Sequence, residues 1–152
     1  MRKQLLGGCL IAGLLVSVSS APLLGQMKEK SLYERLGKKK AIAAVVDEFV
    51  SRVAADNRIN KFFAATAGDS ARLKLFKGNL VDQICEATGG PCKYKGKDMK
   101  TAHMGMGIGS GDFTALVEDL GGALDKLKVG SQEKDQLLGA LAPMKTQIVE
   151  KP

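Results

Sequence analysis

Apolar positions recur at helical spacing along this chain from Ser31 onward. The clearest run is Ile42, Val45, Val46, Phe49, Val50 and Val53, which fall at i, i+3, i+4, i+7, i+8 and i+11 and make one stripe along a helix. A short helix is predicted ahead of it, capped by Ser31, running to Leu36 and stopped by Gly37. Ile59 to Phe63 forms an apolar knot in a short helical turn, and Ala67-Gly-Asp-Ser70 reads as a loop from which Asp69 or Ser70 caps a third helix. That helix, to about Ala87, carries Leu73, Phe76, Leu80, Ile84 and Ala87 on one side, with Leu75, Val81 and Cys85 beside them. So wide an apolar surface predicts burial on more than one side. Gly89-Gly90-Pro91 ends the helix. Residues 92–98 follow as an irregular connection, and Met99 to His103 as a single helical turn. Phe113, Leu116, Val117, Leu120, Ala123, Leu124 and Leu127 mark one long amphipathic helix, and Leu137, Leu138, Leu141, Met144 and Ile148 another, kinked at Pro143. No stretch alternates as a strand would. The expected product is an all-α domain of four substantial helices and two short ones, with a glycine-punctuated loop after the histidine.

Upstream of this domain the pattern changes. Met1-Arg2-Lys3-Gln4 is basic and Leu5 to Val18 is almost wholly apolar or small before Ser19-Ser20-Ala21, the layout of a secretory signal peptide over residues 1–20. An uncleaved anchor extending to about Leu24 is the rival reading, since the apolar run then approaches the ~20 residues that a spanning helix needs. Lipid attachment at Cys9 fails because too few apolar residues precede it. Residues 21–30 read as a linker and 31–150 as the folded domain. Export implies a periplasmic protein, or one held on the outer side of the inner membrane, touching the membrane only if the leader is retained. In such a compartment Cys85 and Cys92, separated by a Gly-Gly-Pro turn, can form a disulfide, although spacing alone does not establish one.

Composition adds little to the class: 45% apolar and 26% charged residues are ordinary for a globular domain. Loss of Arg2 and Lys3 with the leader leaves 21 basic against 16 acidic side chains, so the formal charge falls from +7 to +5. Lys38-Lys39-Lys40 and the group Lys93, Lys95, Lys97 and Lys100 lack interleaved aromatics or a basic helix, which argues against nucleic acid as a partner. Gly105 to Gly111 has no preceding strand, and Gly90 to Lys97 misses both the spacing and the Ser or Thr of a phosphate loop.

The candidate chemistry centres on His103, the one histidine of the chain. A serine triad is excluded by inventory. A protein zinc site would need three or four side-chain ligands, which this chain supplies poorly. Haem iron brings four ligands of its own and asks the protein for as little as one imidazole. The flanks of His103, a short helical run before it and glycines with large apolar residues after it, suit a histidine aimed into an apolar cavity.

Leu32-Tyr-Glu-Arg-Leu-Gly37, Val46-Asp-Glu-Phe49 with Arg52-Val53 and Asp56, Phe62-Phe63, Gly89-Gly90-Pro91, Tyr94, Met99, Ala102-His103 with Gly105 and Ile108, and Phe113 together resemble a group 1 truncated haemoglobin from Ser31 to about Val149. The resemblance implies a two-over-two helical sandwich holding haem b. It makes His103 the proximal iron ligand, Phe63 the aromatic packed on the porphyrin and Phe49 a second pocket aromatic. Tyr94 and Met99 match positions at the haem edge, and Ile108 and Phe113 match pocket walls. It also implies a diatomic gas as ligand (oxygen, nitric oxide or carbon monoxide) and a reductase or other electron donor. Nitric-oxide dioxygenation and peroxidase-like turnover are side activities open to such a haem protein. The distal side departs from the family pattern. Val50 stands where many members have a tyrosine, and ungapped counting from Gly-Gly-Pro puts Phe76 and Leu80 over the iron, with Asn79 between them and Gln83 one turn on. An apolar pocket forgoes a hydrogen bond to bound dioxygen worth ~1 kcal/mol, which argues against tight oxygen storage and against the family's nitric-oxide dioxygenation. Two other classes stay open: a haem-free helical interaction module, and a periplasmic thiol protein using Cys85 and Cys92, for which no Cys-x-x-Cys motif speaks.

Overall fold

The computed structural model describes residues 29–151, so the expected leader and most of the linker lie outside the described residues. Helix α1 (Leu32–Arg35) starts at Ser31, whose hydroxyl accepts the Glu34 N–H while the Glu34 carboxylate returns the bond to the Ser31 N–H. Helices α2 (Lys38–Ala55), α4 (Ser70–Ala87), α6 (Ser110–Lys126) and α7 (Ser131–Leu141) are the substantial ones. Four short helices join them: α1, α3 (Ala64–Ala67), α5 (Met99–His103) and α8 (Lys145–Ile148). The sequence pattern foresaw only two short helices. α3 was missed because Ala64-Ala-Thr-Ala67 offers no apolar periodicity, and α8 because Pro143 does more than kink the last helix. Proline lacks the N–H that an α-helix interior needs, so α7 ends at Leu141, a 3-10 turn spans Ala142–Met144, and α8 begins afresh. Asp69, rather than Ser70, caps α4, its carboxylate accepting the Ala71 and Arg72 N–H groups at 2.9 and 3.0 Å. Among the described residues no strand forms; Gly109 and Lys151 make one isolated bridge.

α2 packs on both α4 and α6, and α6 packs on α7, giving two helix pairs stacked one over the other. The α2 stripe supplies Ile42, Val45, Val46, Phe49 and Val53 to the main core, where they meet Val81 and Cys85 of α4, Leu120, Ala123 and Leu124 of α6, and Leu137 of α7. Fully burying a side chain of the size of Ile42 or Leu124 stabilises by about 1.5–3 kcal/mol. The expected burial of α4 on more than one side needs correction. Val81 and Cys85 are buried, Leu73, Phe76, Leu80 and Ile84 only half-buried, and Leu75 is 65% exposed. α4 thus gives one narrow stripe to the core and leaves a second apolar face beside it.

The end of α4 is closed by a Schellman arrangement: the Gly89 N–H reaches the Glu86 carbonyl at 3.1 Å and the Gly90 N–H the Cys85 carbonyl at 2.7 Å. Gly89 has φ +83°, which a residue with a side chain adopts only under strain. At Gly90 the restriction is space, because a Cβ there would lie 2.6 Å from both the Cys85 sulfur and the Tyr33 ring.

Candidate functional site

A second, smaller apolar cluster of Ile108, Phe113 and Ile148 lies apart from the main core, with Met99, Val117 and Met144 packed on it. Phe62 and Leu141 touch both clusters. The single turn of α5 is placed on this second cluster by two local devices. Asp98 caps it through the Thr101 N–H at 2.9 Å, and α5 packs on α8, the helix that exists as a separate element because of Pro143.

His103 ends α5, half-buried, with its Nδ1 2.7 Å from the carbonyl oxygen of Met99. A carbonyl can only accept, so Nδ1 is the donor, and in the neutral ring the lone pair resides on Nε2. A histidine prepared in this way can serve as a metal ligand, with its orientation set by its own helical turn. Among the described residues no three His, Cys, Asp or Glu side chains gather to hold a bare metal ion. The donor set therefore suits a metal that arrives with its other ligands in place.

Across from α5 stands the half-buried face of α4. The Gln83 Nε2 donates to the Met99 sulfur at 3.4 Å and approaches the Met144 sulfur at 3.9 Å, so this side chain spans from α4 to the histidine's helix. Nearer the start of α4, Phe49, Val50, Phe63, Leu73 and Phe76 line a small cavity with an apolar wall, and the Phe63 and Phe76 rings meet at 5.8 Å between centroids and 57° between planes. Val50 and Phe76 thus come together with Phe49 and Phe63. Leu80 packs on the main core instead, and Asn79 is half-buried without lining the cavity.

The connection between the two walls is well fastened. The sulfurs of Cys85 and Cys92 are joined, with the Cα atoms 5.7 Å apart. The Glu86 carboxylate accepts the Tyr94 N–H at 2.9 Å and the Lys93 ammonium at 3.0 Å, and these bonds hold its carboxyl below the usual 4.5. The Tyr94 hydroxyl donates to the Lys97 carbonyl at 2.8 Å. Lys93, Lys95 and Lys97 are exposed while Tyr94 and Gly96 between them are half-buried, so the lysines form an outer cationic margin. Apolar walls on two sides, one imidazole with a free Nε2 and a cationic rim fit a flat, apolar macrocycle with anionic edge groups. Sequence reasoning passed over the part played by Met144 and by Gln83 as a bridge; only the two sulfurs meeting one amide reveal it.

Two stacked helix pairs with a lone histidine facing a half-buried apolar helix are the architecture of a two-over-two globin. The bacterial-like globin family matches residues 31–150. A group 1 truncated hemoglobin of Mycolicibacterium paratuberculosis is 36% identical over 118 residues, covering 78% of this chain and 83% of that protein. Among solved structures, the truncated hemoglobin of Tetrahymena pyriformis in its Fe(III) form superposes with a TM-score of 0.72 at 29% identity, over 80% of this chain and all (100%) of the other. The 2/2 hemoglobin of Synechococcus sp. PCC 7002, in the cyanomet state with covalently attached heme, gives 0.71 at 29% identity over 80% and 100%. The chain belongs to the bacterial-like globin family, as a group 1 truncated haemoglobin.

Proposed function

We propose that this globin holds haem b through His103 Nε2 and binds a diatomic gas on the opposite face. The observation that carries the reading is the 2.7 Å bond from Nδ1 to the Met99 carbonyl, which makes Nε2 of the chain's one histidine the nitrogen that offers its lone pair in the neutral ring. When bound, the haem supplies an iron with one position for a gas molecule. The chain's residues then act by shape and exclusion. Met99, Ile108 and Phe113 keep water from the histidine side, and Phe49, Phe63 and Phe76 present an apolar surface with Val50 on the gas side. Tyr94 and the lysine margin hold the haem edge. With no donor at Val50, Phe76 or Leu80, oxygen leaves quickly and carbon monoxide is poorly discriminated against. The basic, apolar leader and the Cys85–Cys92 pair support export to the periplasm, where an electron donor would keep the iron ferrous.

One experiment tests the core of this reading. Absorption spectra of the purified protein after haem supplementation, oxidised, reduced and with carbon monoxide, should show a Soret band that shifts with each state. A protein that takes up no haem would instead be a helical interaction module.

A further inference from the structure

The loop after the histidine has little packing of its own. Met104 is 71% exposed, Met106 36%, and a side chain built at Gly105 would meet nothing within 4 Å. Yet the loop has a defined path. Gly105 and Gly107 have φ of +80° and +68°, and their N–H groups converge on one carboxylate, that of Glu150, at 2.6 and 2.5 Å. Converging backbone amides of this kind make an anion-binding concavity, and here a residue of the same chain fills it. The surrounding backbone is paired as well: Glu150 and Lys151 N–H groups donate to the Ile108 carbonyl at 2.8 and 3.1 Å, and the Ser110 N–H to the Lys151 carbonyl at 3.2 Å. The Met106 N–H returns to the carbonyl of His103 itself at 3.1 Å.

We infer that Glu150 is a positioning residue for the iron ligand: its carboxylate clamps residues 105–107 and thereby fixes the end of α5 from which His103 projects. The inference rests on the reading of His103 as that ligand. The local bond to Met99 sets which ring nitrogen is free, but it moves with α5 and cannot fix where α5 ends. That end is held from two directions, by α8 beneath it and by the clamp beyond it, and Glu150 follows α8 by two residues. The clamp therefore joins the helix that α5 rests on to the loop that α5 runs into.

The test uses the haem-loaded protein and compares wild type with Glu150→Ala, Glu150→Gln and, as a control, Glu133→Gln, which removes a carboxylate bonded to Arg35 at 3.0 Å. The readouts are the iron–histidine stretching band of the ferrous protein by resonance Raman, haem transfer to apomyoglobin, and the thermal midpoint. Glu150→Ala should shift or broaden the band and speed haem loss about tenfold, on the scale of one charge-assisted hydrogen bond. Glu150→Gln, which keeps one acceptor, should fall between and serves if the alanine variant does not fold. Formate should restore the band in Glu150→Ala, while chloride at equal ionic strength should not. Glu133→Gln should lower the midpoint without moving the band. An unchanged band in both Glu150 variants, or equal rescue by chloride, overturns the clamp while leaving His103 as ligand. A wild-type protein without an iron–histidine band overturns the reading of His103 and the inference with it.

Discussion

Gln83 of α4 and Met99 of α5 meet at 3.4 Å, amide nitrogen to sulfur, and the carbonyl of the same methionine accepts the His103 ring. One residue thus receives a side chain from the facing helix and orients the imidazole. Gln83 is thereby committed to the histidine's side of the site, away from the cavity shared by Val50 and Phe76. Substituting it should barely affect gas release: Gln83→Ala is expected to leave the oxygen dissociation rate within about twofold, whereas Val50→Tyr should slow it roughly tenfold if the new hydroxyl gains ~1.4 kcal/mol. Stopped-flow displacement of oxygen by carbon monoxide reads both. A marked acceleration in Gln83→Ala would place the amide over the gas instead.

His103→Ala should abolish specific haem retention, because the chain has no second imidazole. Added imidazole should restore a low-molecular-weight axial ligand and part of the Soret intensity. Retention of a full-strength spectrum without it would assign the iron to another ligand, Met104 or Met106 being the nearest sulfurs in sequence.

Loss of the Cys85–Cys92 bridge should lower unfolding stability by at most ~2–3 kcal/mol, the chain-entropy value for so short a loop. Cys92→Ser measures this through the urea midpoint, and it spares Cys85, which is fully buried and fills core volume. Thiol titration of oxidised, unfolded protein should find neither Cys85 nor Cys92 free.

Glu86 sets an acid limit on the same corner. Its folded-state pKa is lowered by the Tyr94 N–H and Lys93, so its contribution is present above the unfolded value of about 4.5 and disappears as pH falls through the lower folded value. Glu86→Gln should lower stability at neutrality and change it least near pH 3, so that the acid loss becomes flatter, as urea unfolding at pH 3 to 7 would show. An unchanged acid slope would mean that the Tyr94 bond contributes nothing there.

The α2 stripe was legible because its periodicity and its burial coincide: Ile42, Val45, Val46, Phe49 and Val53 are all in the core. On α4 the same kind of pattern misled, since Leu75 is exposed, Leu73 and Phe76 are only half-buried beside a cavity, and Leu80 and Ile84 reach the core only in part. Period alone does not separate a face turned to a core from one that lines a cavity. His103 stood out by scarcity, whereas Met99 entered only through the family resemblance, and the carbonyl with which it orients the ring is a backbone group that leaves no mark in the sequence. Glu150 had no such signal. Its partners are backbone amides, which every residue carries, so only coordinates could show that two of them converge on this carboxylate.

The paired glycines at the end of α4 also predict which alleles can persist. At position 89 the demand is a torsion angle, and asparagine, which tolerates left-handed backbone better than other residues, should survive in a mutational library. At position 90 the demand is empty volume beside a buried sulfur and an aromatic ring, so no substitution should survive. Two adjacent identical letters would then show opposite tolerance, one permitting a narrow polar exchange and the other permitting nothing.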